Sequence, residues 1–98
     1  MFQRALEGAP KAAPAMLNLG FVYLQMKRFA DVERLMTEVI RLDSRQPQAF
    51  AMLGAARLQN GNYAGAREAF RRALALDPRN PMALEGVQLM GLTPEQLR

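Results

Sequence analysis

Ninety-eight residues, 50% of them apolar and 22% charged, bound this chain to a single modest domain. The absence of cysteine and histidine excludes disulfides, thiolate nucleophiles and the usual zinc sites. The net charge of +4 is spread from Arg4 to Arg98, and its tightest group (Arg67, Arg71, Arg72) has Glu68 beside it, as on an ordinary solvated helix face.

In chain order, Met1 to Glu7 reads as a helix with Phe2, Ala5 and Leu6 on one face. Gly8 and Pro10 predict its end. A second helix is expected from Pro14, whose missing N–H is harmless in a first turn, to about Met26. Its Leu17, Gly20, Phe21 and Leu24 recur at three- and four-residue spacing, the sign of a buried stripe. The turn at Lys27–Arg28 is weak: Lys27 must adopt a positive φ or the helix must end by another route. Phe29 to Leu42 predicts a third helix, with Val32, Leu35, Met36, Val39 and Ile40 inward, and Asp43–Ser44–Arg45 a turn. Pro47–Asn60 and Tyr63–Leu76 predict an alanine-rich hairpin around Gly61–Asn62, a helix stop followed by an N-cap. Asn80–Pro81 opens another helix, through Leu84 and Val87 to about Met90, where Gly91 interrupts it. Thr93–Pro94–Glu95–Gln96 has the form of a capping box starting a further helix.

These elements repeat. Shifted by 34 residues, Leu19 falls on Leu53, Gly20 on Gly54, Phe29 on Tyr63, Leu42 on Leu76 and Asp43 on Asp77. A second shift places Phe2 under Met36 and Phe70, and Ala5 under Val39 and Ala73. A period held over three copies is the mark of an array built from one supersecondary unit. Within each unit the interior glycine is expected to admit its partner helix closely. Gly54 should face Ala66 and Gly20 the bulkier Val32, leaving the first hairpin slightly wider or shifted.

Pro47–Asn80 carries Phe50, Leu53, Gly54, Ala66, Phe70 and Pro78, and so resembles the tetratricopeptide repeat, with Arg57 where that family usually has Tyr. Ala13–Gln46 keeps Leu19, Gly20 and Tyr23 but has Met16, Val32, Met36 and Ser44 at the other signature positions. The resemblance implies an all-α fold: antiparallel helix hairpins of 34 residues, stacked as a right-handed superhelical solenoid. Residues 1–98 would then be one domain. Residues 1–12 would be the second helix of a partial repeat, 13–46 and 47–80 repeats, and 81–98 a partial repeat or capping helix and tail.

The same resemblance implies a protein-binding module whose concave face is lined by the first helix of each repeat. By phase, that groove would comprise Leu17, Asn18, Phe21, Leu24 and Gln25, then Gln48, Ala51, Met52, Ala55, Leu58 and Gln59, then Met82, Glu85 and Leu89. Family members that grip carboxylate tails hold Lys, Arg and Asn here, and only Asn18 fits. An apolar, methionine-containing trough instead suits the hydrophobic face of a helix or an extended apolar peptide. The alternatives are an RNA-contacting helical array and the docking segment of a larger enzyme.

No catalytic site, metal site or cofactor is expected. Ser44 is the single serine, there is no histidine to activate it, and Gly61 and Gly65 precede no phosphate-loop Lys–Ser/Thr. Phe2, Ala5 and Leu6, like Leu84 and Val87, lack the cover a complete repeat would give. Self-association of Met1–Glu7 with Pro81–Met90 is one expectation; excision from a longer array and a fold-back of the residues after Thr93 are others. Neither an eighteen-residue apolar run nor a charged-then-apolar leader is present, so membrane insertion is not expected; localisation stays open, with the cytoplasm favoured. Abundant Ala and Arg with few Lys point to a GC-rich bacterial source.

Overall fold

The computed structural model describes residues 9–97, with side chains from Ala13 onward except Pro94. Five α-helices follow one another: α1 (Ala9–Gln25), α2 (Phe29–Leu42), α3 (Pro47–Gln59), α4 (Tyr63–Leu76) and α5 (Pro81–Leu89). A short 3-10 helix, Pro94–Leu97, comes after them. Each helix packs on its chain neighbour, and α3 also touches α1 and α5. No strand occurs among the described residues. The all-helical hairpin fold expected from the period is the fold observed.

The start of α1 differs from expectation. It begins at Ala9 rather than Pro14, so Pro10 lies in its first turn and Pro14 inside it. Pro14 forgoes only the bond to the carbonyl four residues earlier, close to the helix start, and the helix absorbs that loss. The helix expected at Met1–Glu7 lies outside the described residues.

Helix ends follow two alternating patterns. α1, α3 and α5 each close on a residue of positive φ: Lys27 at 61°, Gly61 at 82° and Gly91 at 75°. The next N–H then reaches back five residues, Arg28 to Tyr23 O at 2.9 Å, Asn62 to Arg57 O at 2.8 Å, Leu92 to Val87 O at 3.0 Å. Those bonds satisfy carbonyls that a helix end leaves open. α2 and α4 instead end on extended Asp43 and Asp77. Their carboxylates accept from the N–H two residues on, Arg45 at 3.0 Å and Arg79 at 3.1 Å, holding the inter-repeat turns as expected of Asp. Asn62 and Asn80 cap α4 and α5, accepting from Gly65 N–H at 3.0 Å and Ala83 N–H at 2.9 Å.

The core is a line rather than a ball. One cluster gathers Val32, Met36 and Val39 of α2 with Ala49, Met52, Leu53 and Ala56 of α3. The next gathers Phe50 and Ala51 with Ala66, Phe70 and Ala73 of α4, Ala83 and Val87 of α5, and Leu97. The half-buried side chains of Ile40 and Met82 touch both clusters.

The glycines face different neighbours from those expected. A Cβ on Gly54 would stand 2.7 Å from the Phe70 ring, and one on Gly20 2.5 Å from the Met36 methyl. The close approach is therefore made one helical turn beyond Ala66 and Val32, by the larger side chain of each pair. A Cβ on Gly86 of α5 would stand closer still to the same Phe70 ring, so two glycines make room for it.

Val87 is not left uncovered. It is 1% exposed, and Leu97 at 3% joins it in the second cluster. Of the proposed capping box one half forms: Gln96 Oε1 accepts from Thr93 N–H at 2.7 Å, while Gln96 N–H goes to the Thr93 carbonyl at 3.0 Å. The resulting 3-10 turn docks on α4, where Arg67 donates to the Gln96 carbonyl at 2.8 Å. The residues after Thr93 thus fold back onto the array, and Leu97 joins the cluster in which Val87 is buried.

Candidate functional site

Helices α1, α3 and α5 lie side by side because α3 contacts both of the others. Between them is a depression of about 200 Å³. Leu24 lines it from α1, Ala55, Leu58 and Gln59 from α3, and Met82, Glu85 and Leu89 from α5. Its deepest contributors are buried Phe70 and Gly86. A second depression, about 350 Å³, adjoins it through Leu24, Ala55 and Gln59 and extends to Gln25, Lys27 and Phe29. The surface is apolar across the middle and polar at its margins. Leu89 is 69% exposed, an apolar side chain with no cover of its own.

The expected groove residues divide into three groups. Leu24, Gln25, Ala55, Leu58, Gln59, Met82, Glu85 and Leu89 come together on this surface. Leu17, Asn18 and Phe21 do not line it; Leu17 packs half-buried on the first core cluster, whereas Asn18 and Phe21 are exposed. Gln48, Ala51 and Met52 are the departures. Ala51 and Met52 are 0% and 1% exposed and belong to the core, because neighbouring helices close over that face of α3. Gln48 is engaged within the chain: its carbonyl accepts from Asn80 Nδ2 at 3.0 Å, and its amide faces Met82 Sδ at 3.7 Å.

Four lining residues were not anticipated. Phe70 and Gly86 enter because the two glycines let the ring approach α3 and α5 closely. The 34-residue frame held the signal, since Gly20, Met36 and Met52 repeat as Gly54, Phe70 and Gly86. Lys27 and Phe29 enter through the positive-φ turn, which brings the start of α2 back beside the end of α1.

Elsewhere the surface charges are mostly paired. Arg28 and Arg34 share Asp31, Arg41 holds Glu38, Arg71 and Arg72 share Glu68, and Arg57 of α3 reaches Glu33 of α2 at 3.1 Å. Hydrogen bonds from Arg41 and Arg71 hold the Glu38 and Glu68 carboxyls below the usual carboxylate range. Among the described residues no group of His, Cys, Asp or Glu could hold a metal ion. No described helix is long and apolar enough to cross a membrane.

Paired helices in a 34-residue frame, with first helices lining an open trough, define a helical-hairpin repeat protein. Residues 47–80 match the family model described as tetratricopeptide repeat, and the chain belongs to that family. It is 33% identical over 90 residues, 90% of its length, to tetratricopeptide repeat protein 17 of Rattus norvegicus. It is also 33% identical over 92 residues, 93% of its length, to the CTR9 homolog of Arabidopsis thaliana. The chain spans 8% of the length of each of these relatives. Domains of this family generally mediate contacts between proteins.

Proposed function

We propose that the chain is a non-catalytic protein-interaction scaffold that receives the apolar face of a partner helix, or an extended apolar peptide, between α1, α3 and α5. The observation that carries this reading is the clustering of Leu24, Ala55, Leu58, Met82 and Leu89 around one open depression, with Leu89 exposed. A few apolar side chains at helical spacing are what such a trough takes, and methionine adapts to their shapes.

The test is an amide-shift titration with an amphipathic helical peptide. Shifts should concentrate at Leu24, Ala55, Gln59, Met82 and Leu89, and Leu89→Asp should remove them while leaving the rest of the spectrum in place. Leu89 is exposed enough that its replacement leaves packing intact. Shifts gathering on the exposed Leu19 and Val22 of α1 and Met26 just beyond it instead would sink the proposal.

A further inference from the structure

The groove carries a charge at each end, and no ion pair among the described residues answers either one. Lys27 lines it only on the α1 side and Glu85 only on the α5 side, with the apolar crossing of α3 between them. Both are exposed, and neither joins an ion pair among the described residues, whereas most nearby arginines are matched to carboxylates. Lys27 also has a defined backbone conformation. Its backbone is the left-handed closing residue of α1, pinned by its own N–H to Leu24 O at 3.0 Å and by Arg28 N–H to Tyr23 O at 2.9 Å.

Resting on the groove reading above, we propose that the trough is polarised and that its occupant is a partner's amphipathic helix lying in one direction. Its acidic first turn meets Lys27 and its basic last turn meets Glu85. Two opposing effects set that direction. Whole charges at both ends favour acid at Lys27 and base at Glu85, whichever end of the helix carries them. The partner's helix dipole, about half a charge at each end, would prefer its N-terminus near Glu85. The whole charges are twice as large, and a helix with acid first and base last is also the one stable by itself. The charge match therefore sets the direction. Two helix spacings of 8–10 Å separate α1 from α5, so the acidic and basic ends stand about 20 Å apart, or about 13 residues of helix.

The probe is a synthetic amphipathic peptide of about 16 residues with a leucine face, two Glu in its first turn and two Lys in its last. It carries a nitroxide at its N-terminus. Two exposed ion pairs should favour one direction about fivefold at low salt, and less as salt screens them. Resonances of Phe29 and Gln25 should then broaden well beyond those of Leu89 and Met82. In the double variant Lys27→Glu/Glu85→Lys the pattern should invert. Lys27→Gly removes the charge while easing the backbone, so lost directionality in that variant cannot be laid to unfolding. A peptide that binds with equal broadening at both ends, unchanged by the double variant, overturns the polarity and leaves the groove standing. A peptide that does not bind at all overturns both.

Discussion

Phe70 is where a single side chain does most. Its ring is fully buried against Gly54 and Gly86, in a space that any Cβ on either glycine would invade. The matching site one repeat earlier solves the same problem with other residues: Met36 against Gly20, with Met52 where Gly86 would be. Gly86→Ala should therefore destabilise by about 1–3 kcal/mol through overpacking, despite removing a helix-interior glycine. Combining Phe70→Met with Gly86→Met writes the first repeat's solution into the second and should recover most of that loss. Chemical denaturation of the three proteins measures it. Asn80 is a second such residue. It is buried, caps α5 and satisfies Gln48, so Asn80→Ala should cost about 2 kcal/mol, the upper end for a helix cap. The cap itself was legible in Asn80–Pro81, but its burial and its bond to Gln48 come from packing across 32 residues. Arg57 was similarly opaque: at the position where the family has Tyr, it ties α3 to Glu33 at 3.1 Å and to the Gly65 carbonyl at 3.3 Å.

At the scale of whole helices, one turn is strained. Lys27 closes α1 at φ 61° where Gly61 closes α3 at φ 82°, and a side chain in that region costs about 1 kcal/mol. Lys27→Gly should raise stability by up to about 1 kcal/mol, the gain reduced by the extra freedom glycine has when unfolded. Thermal melts of the two proteins would show it. The better capped hairpin is α3–α4, with Pro47 at its start, Asn62 inside and Gly61 at its turn. Hydrogen exchange should find α3 and α4 protected longest and the Lys27 turn opening earlier, and equal protection would contradict that ordering. The helix order, the weak turn and the N-caps were all readable from apolar spacing, glycine, proline and asparagine. The start of α1 was not. Pro14 is equally at home as a first helical residue and as an interruption near a helix start, and local sequence holds nothing that decides between them. The groove divided on the same principle. Periodicity places residues on a face, but it cannot say how far a neighbouring helix overlaps that face, and so Ala51 and Met52 proved buried.

Over the molecule as a whole, charge is arranged in pairs that depend on ionised carboxylates. Glu38 is lowered chiefly by hydrogen bonding from Arg41, Glu68 by Arg71, and Asp43 by Gln46 and the Arg45 N–H. A carboxyl whose folded value lies below its unfolded value adds stability that is present above the unfolded value. That stability is lost as pH falls through the folded one. The chain should therefore hold constant stability through neutral pH and weaken progressively below about pH 4, near the ordinary carboxylate range. Glu68 is exposed and Glu38 and Asp43 are only half-buried, so the slope should be shallow and flatten further with added salt. Acid titration of the denaturation midpoint at two ionic strengths would check both statements.

A linear core also fixes how strongly one part of the molecule senses another. In a one-dimensional array, cohesion is a sum of terms within units and terms between them. Phe70 enters both at once, through Gly54 of its own unit and Gly86 of the next, and the same ring forms part of the groove floor. Whatever settles on that floor therefore bears on the link between neighbours as well as on its own contacts. A bound peptide should sharpen the melting transition of the array as well as raise its midpoint, since ligand and cohesion share one aromatic ring. With Phe70→Met the ligand would still raise the midpoint, but the added sharpness would fade: recognition and cooperativity would have come apart.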